Sequence, residues 1–92
     1  MLSSELLLSG LKVNLGITSP VYDERLTAYL DSAKQMIERE GITLTDSAED
    51  TTLVIQYAAW MWHERDSGTG MPRMIRYALN NRLFSEKMKD AT

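Results

Sequence analysis

Residues 53–62 read LVIQYAAWMW, an apolar run interrupted only by Gln56. On a helix that turns 100° per residue, the apolar side chains of this run form two neighbouring stripes. One holds Leu53, Val54, Tyr57, Ala58 and Met61, and the other holds Ile55, Ala59 and Trp62. Together they cover roughly two thirds of the helix circumference, which is more than one packing partner can cover. The run therefore predicts either the central helix of a bundle or a helix that another subunit completes.

Two amphipathic helices are predicted before this run. The first covers about residues 4–15, with Ser3 or Ser4 as N-cap and Gly16 as a left-handed residue at its end. The second covers residues 20–40, where apolar side chains recur every three or four residues. They are Tyr22, Leu26, Tyr29, Leu30, Ala33, Met36 and Ile37.

The apolar run itself belongs to a third helix, predicted over residues 47–66. Asp46 can cap it, with Glu49 three residues later as in a capping box, and Ser47 is the alternative cap. We interpret the preceding ITLT segment, residues 42–45, as a loop that places its apolar side chains in the core.

A fourth helix is predicted over residues 72–81, with Pro72 in its first turn. Its buried side is predicted to hold Met71, Met74, Ile75, Ala78 and Leu79. If the helix continued, the charged Arg82 would fall on this buried side, so we expect the helix to end near Asn80 and Asn81. Leu83 and Phe84 would then form an apolar hook. The chain is thus predicted to be one all-α domain, a small bundle of four helices over residues 1–84, followed by a flexible polar tail over residues 85–92.

The charge distribution is uneven along the chain. Residues 1–50 carry four basic and nine acidic side chains, and residues 51–92 carry six basic and four acidic ones, giving −5 and +2. The total of −3 is unsuited to a protein that binds nucleic acid through backbone charge. Opposite charge on two faces favours head-to-tail association between copies of one chain.

The sequence shows no catalytic or metal-binding motif. His63 is the single histidine and the chain has no cysteine, so the usual ligand sets for a transition metal are missing. No G-x-S-x-G motif presents a nucleophile, and Gly68-Thr69-Gly70 lacks the Lys-Ser/Thr of a P-loop. We therefore expect neither an enzyme nor a cofactor, and no segment approaches the ~20 apolar residues of a membrane span.

Two kinds of side chain are candidates for a protein interface. Tyr57, Trp60 and Trp62 are most often core residues, but Trp60 falls on the polar strip of its helix, where a partner can cover an indole. Arg73 and Arg76 most often mark a solvated face. Their forked guanidinium groups also suit carboxylates of a neighbour or a phosphate.

Several segments resemble those of the tailed-phage head–tail connector family, also called head-completion or DNA-packaging adaptor proteins. The matching segments of this chain are residues 57–63 (YAAWMWH) and the directly following residues 64–86 (ERDSGTGMPRMIRYALNNRLFSE). Two shorter ones are residues 11–18 (LKVNLGIT) and residues 33–42 (AKQMIEREGI). The resemblance implies a small all-helical protomer without enzymatic activity. It also implies a homo-oligomeric ring, commonly twelve-fold in the virion, that docks on the portal protein and extends its DNA channel.

Further expectations follow from the same resemblance. A tail-side connector or stopper protein would be the second partner, and double-stranded DNA would pass without sequence-specific binding. The protein would be made in the bacterial host cytoplasm and retained at the head–tail junction of the virion. Candidate contacts to the portal or to neighbouring subunits lie within the matching stretch: Trp60, Trp62, Arg73, Arg76, Asn80, Asn81, Arg82 and Phe84.

A small DNA-binding regulator is the alternative hypothesis. The third and fourth helices, joined by residues 67–71, can imitate a helix-turn-helix, with Arg73, Arg76 and Asn80 offered to a DNA groove. The negative net charge and the apolar preceding helix disfavour it.

Overall fold

The computed structural model describes residues 3–68 and 70–90, and of residues 65–67 and 90 only the backbone. Helix α1 covers Ser4–Leu15, α2 Asp23–Arg39, α3 Ala48–Ser67 and α4 Arg73–Asp90, and a short 3-10 turn over Pro20–Tyr22 precedes α2. The described ranges contain no β-strand. The prediction of a small all-α bundle of four helices is therefore confirmed. None of the helices within these ranges is long and apolar enough to cross a membrane.

Helix α3 is the central element of the bundle, because it packs against α1, α2 and α4. Five residues of its apolar run are buried: Leu53, Val54, Tyr57, Ala58 and Ala59. Ile55, Trp60, Met61 and Trp62 are half-buried against the same core. The wide apolar perimeter of α3 is thus covered largely within the chain. Ile42 is buried as expected, and Leu44 packs partly against the core.

The helix starts agree with local capping chemistry. Ser3 caps α1, and Gly16 ends it with a left-handed φ of 73°. For α3 the cap is Ser47 rather than Asp46, since the Ser47 hydroxyl accepts a hydrogen bond from the Asp50 backbone N–H at 3.1 Å. Ser19 caps the 3-10 turn, and α2 itself begins only at residue 23.

The predicted end of α4 near Asn81 is wrong, because the helix continues through Asp90. Arg82 does lie on the inward side, as the helix geometry required, but a buried carboxylate is there to receive it: its Nε donates to Asp50 at 2.7 Å. Residues 83–84, expected as an apolar hook, and residues 85–90, expected as part of the polar tail, are therefore further turns of helix, and residues 91–92 lie outside the described ranges.

The burial predicted for Met74 is also wrong, since this side chain is 79% exposed. Helix α4 places Ile75, Leu79 and Arg82 against the rest of the protein. Met74 precedes Ile75 by one residue, which turns it about 100° away from that side.

Candidate assembly surface

The outward side of α4 carries large apolar side chains along most of its length. Met74 is 79% exposed, Tyr77 59%, Phe84 65% and Met88 54%. With the exposed Asn81 they follow one another at intervals of three, four, three and four residues, the spacing of a coiled-coil seam. We call these five positions the α4 stripe. Four such side chains expose on the order of 500 Å² together, a size at which an apolar patch on a soluble domain is often functional.

A basic edge runs beside the α4 stripe. Arg73, Asn80 and Lys87 are all exposed and lie seven residues apart, so two turns of helix separate each from the next. We call these three positions the basic rim. An apolar centre flanked by polar and charged side chains is the arrangement found in protein interfaces.

The first turn of α4 borders a groove of about 580 Å³. Trp60 and Ala59 of α3 line it together with Met74 of the α4 stripe. The Trp60 indole N–H donates to the Gly70 carbonyl at 3.2 Å, and its ring meets that of Tyr57 edge-to-face at 5.6 Å. Trp60 therefore lies half-buried between the core and a groove continuous with the stripe.

Trp62 lies on a different part of the molecule. Its ring makes edge-to-face contacts with Tyr22 at 5.4 Å and with Tyr29 at 6.1 Å. These two tyrosines belong to the 3-10 turn and to α2. The contacts fix the start of α2 against α3, which is a structural role within the protomer.

Arg76 is paired inside the chain. Its Nη2 donates to Glu40 at 2.7 Å and its Nη1 to the same carboxylate at 3.4 Å. The hydrogen bond to Glu40 raises the pKa of Arg76. Burial, followed by the charge of Glu40, raises the pKa of the neighbouring Tyr57 phenol. Arg76 thus ties α4 to the end of α2 instead of extending outwards.

Arg82 is at the centre of a buried polar cluster. Its guanidinium donates to both oxygens of Asp50, to the Thr43 carbonyl at 2.6 Å and to Glu86 at 3.1 Å. Asp50 also accepts from the backbone N–H and the hydroxyl of Thr45, at 2.8 and 2.9 Å. Burial by itself raises the pKa of Asp50, but the hydrogen bonds from Arg82 and Thr45 outweigh it, so the pKa is lowered.

The structure therefore separates the predicted interface residues into two groups: those on or next to the outward side of α4, and those that contact residues of their own chain. Arg73, Asn80, Asn81 and Phe84 share the outward side of α4 and lie together. Trp60 lies in the adjoining groove. The other three, Trp62, Arg76 and Arg82, contact residues of their own chain.

Sequence reasoning missed three members of the α4 stripe: Met74, Tyr77 and Met88. The signal was the regular spacing of residues 74, 77, 81, 84 and 88. This spacing was hidden because the helix was expected to end near residue 81, so that only two apolar residues of the stripe, Met74 and Tyr77, fell within the predicted helix. Placing Met74 in the core removed one of those two.

Within residues 3–68 and 70–90, no cluster of three or more His, Cys, Asp or Glu side chains is arranged to hold a metal ion. His63 is exposed on α3. Comparison of the chain with protein-family models, with curated proteins and with solved structures found no match. The arrangement can bind another helical surface through apolar contact and charge.

Proposed function

We propose that the protein is a structural subunit of a phage or prophage head–tail connector, a ring that docks on the portal protein and extends its DNA channel towards the tail. The observation that carries this proposal is the α4 stripe. Its exposed apolar side chains lie in the segment MIRYALNNRLFSEKM, which overlaps the stretch that resembles the connector family. A helix that leaves these side chains in water is suited to contacts between subunits.

The charge distribution supports assembly in one direction. The basic rim lies on α4, whereas most acidic side chains precede residue 51. A ring closes through heterologous contacts, in which one face meets a different face of the next copy, and opposite charges favour such a pairing. The modest net charge also suits a DNA channel, because tight phosphate binding would retard a passing genome.

In the proposed role the ring has two protein partners, the portal on the head side and a tail-side connector or stopper protein on the other. Double-stranded DNA passes through the ring without being read. The subunit is made in the bacterial cytoplasm and stays at the head–tail junction of the virion.

The alternative of a DNA-binding regulator has less support. Arg73 and Asn80 are exposed on α4, but Arg76 is bound to Glu40. The outward side of α4 is dominated by Met74, Tyr77 and Phe84, which suit neither phosphates nor most base edges.

Electron microscopy of the purified protein mixed with the portal protein from the same genome tests the proposal. We expect annular density added to one end of the portal, and no such addition with a Phe84→Ser variant. Absence of any ring, combined with duplex binding in a gel shift that falls steeply with salt, would replace the connector by the regulator.

A further inference from the structure

The outward face of α2 carries an acidic counterpart of the basic rim. Glu24, Asp31 and Glu38 are exposed and lie seven residues apart. We call them the acidic triplet. Arg25 and Arg39 of the same helix lie about 100° away around its axis from Glu24 and Glu38, on the side of the neighbouring groove, which Arg39 and Glu64 both line. Asp31 also contacts Lys34 at 3.5 Å, where the Asp31 side chain is 61% exposed.

The two sets of charges match in spacing. The outer positions of each set, residues 73 and 87 of α4 and residues 24 and 38 of α2, are fourteen positions apart, about 21 Å along a helix. When two such helices lie side by side, Arg73 and Lys87 meet the outer acids whether the helices run parallel or antiparallel. In both directions the middle positions, Asn80 and Asp31, face each other.

A groove with a mixed polar and apolar lining lies beside the acidic triplet. It has a volume of about 430 Å³ between α2 and α3. Four of its lining residues are apolar, Met36, Tyr57, Trp60 and Met61, and four are polar or charged, Ser32, Gln35, Arg39 and Glu64. Met36 is 42% exposed. The groove offers a second copy a place for side chains of the α4 stripe while charges pair along its edge.

Symmetric pairing of α4 with α4 is less favourable. In an antiparallel pair the basic rims of both copies would meet, placing Arg73 of one near Lys87 of the other. The described side chains of α4 include one carboxylate, Glu86, and it is engaged by Arg82 and by the Thr43 backbone N–H. No carboxylate of the basic rim would then neutralise the positive charges of Arg73 and Lys87 that face each other.

From these observations we infer that α4 of one copy docks on the α2–α3 face of the next, with the basic rim along the acidic triplet and the α4 stripe in the adjoining groove. The contact is head to tail, so a pair of copies keeps one unused α4 face and one unused α2–α3 face for further copies, as a ring requires. This inference specifies the subunit contact of the proposed connector and so rests on that proposal.

Disulfide trapping tests the contact directly, because the natural chain has no cysteine. One variant carries Asn80→Cys and a second carries Asp31→Cys, both at exposed positions. Under mild oxidation we expect the 1:1 mixture to form covalent dimers at least about tenfold faster than either variant alone. Ser9→Cys, at an exposed position of α1, replaces Asp31→Cys in the control mixture. Circular dichroism verifies that each variant is folded.

Two results would overturn the inference. One is equally fast cross-linking of Asn80→Cys alone, which would indicate symmetric α4 pairing. The other is a mixture that cross-links no faster than the Ser9→Cys control at any concentration.

Charge reversal provides an independent test. We expect Arg73→Glu/Lys87→Glu and Glu24→Lys/Glu38→Lys each to lower self-association at least about tenfold in sedimentation velocity, and their mixture to recover it. If Glu24→Lys/Glu38→Lys leaves self-association unchanged, α2 is not the partner of α4.

The trapping and microscopy results separate the two proposals. Rings on the portal without the cross-link between positions 31 and 80 retain the connector and reject this contact. The cross-link without rings retains the contact and rejects the connector.

Discussion

Asp50 and Arg82 are 32 residues apart in the chain, yet the Asp50 Oδ1 and Arg82 Nε atoms lie 2.7 Å apart in the interior. The Asp50 side chain is fully buried and that of Arg82 is 9% exposed. The pair joins the first turn of α3 to the middle of α4, and through Thr43 and Thr45 it also fixes the loop before α3. Arg82 therefore extends α4 instead of ending it.

Removing either Asp50 or Arg82 alone should strongly destabilise the folded protein. We expect Arg82→Met to lower the free energy of unfolding by about 3 kcal/mol, because it leaves the Asp50 carboxylate buried without its main partner. Urea unfolding followed by circular dichroism measures the change. The matched control is Arg73→Met on the exposed side of the same helix, which should change stability by less than about 0.5 kcal/mol.

The double variant Asp50→Leu/Arg82→Met should recover much of that loss, since no charge is then left buried. If the double variant is as unstable as the sum of its single variants, the two residues do not act as a pair.

Acid should weaken the same cluster. The pKa of Asp50 is lowered in the folded protein, so its contribution to stability is present above the pKa of the unfolded carboxyl, about 4, and is lost as the pH falls through the lower folded value. Glu86 acts in the same direction, since the Thr43 backbone N–H lowers its pKa. We expect the melting temperature to fall below about pH 4. Asp50→Leu/Arg82→Met should show a flatter profile between about pH 5 and pH 2, and an unchanged slope would contradict this assignment.

Gly10 marks a close approach of α1 to α3. A Cβ added to Gly10 would lie 2.5 Å from Cδ1 of Ile55. We expect Gly10→Ala in the natural chain to gain little, because Ile55 must move, whereas Gly10→Ala in an Ile55→Val background should gain up to about 1 kcal/mol from helix propensity. A double-mutant cycle by thermal unfolding measures this coupling, and additive effects would show that the contact is not limiting.

The two tryptophans should differ in their effects. Trp62→Ala removes the contacts to Tyr22 and Tyr29, so it should destabilise the isolated protomer. Trp60→Ala should clearly weaken assembly on the portal and lower the melting temperature of the dilute protomer less than Trp62→Ala does. The reason is that the Trp60 indole borders both the groove beside α4 and the groove between α2 and α3. Thermal unfolding and portal binding of the two variants provide the comparison. Equal losses of stability would assign Trp60 a purely internal role.

The α4 stripe should affect association without affecting stability. We expect Phe84→Ser to leave the free energy of unfolding within about 0.5 kcal/mol of the natural chain, because the side chain is 65% exposed, while reducing self-association. Val13→Ser, at an 83% exposed position of α1, is the control and should change neither quantity.

The sequence predicted those features of the helices that depend on near neighbours in the chain, namely apolar periodicity and capping. The recurrence of Leu26, Leu30 and Ile37 every three or four residues placed α2 and its buried side, and all three are buried. Caps such as Ser3 and Gly16 act on backbone groups within four residues, so they are visible in a short window. The outward positions of Arg73 and Asn80 likewise follow from helix periodicity.

The partners of charged side chains depended on the tertiary structure. By itself an arginine on an apolar helix face indicates that the helix has ended, since an unpaired buried charge is very costly. The structure supplies Asp50 from another helix, which removes that cost and extends α4 through residues 82–90. Only the longer helix shows that Met74, Tyr77, Phe84 and Met88 form one exposed surface.

The amino-acid sequence by itself thus determined the number of helices, most of their starts and the buried side of α2, because these depend on periodicity and capping between near neighbours. The tertiary structure alone decided where α4 ends, how Asp50 and Arg82 are neutralised and which apolar side chains remain in water. Those outcomes depend on groups brought together by packing across 32 residues of chain, a distance over which local patterns carry no information.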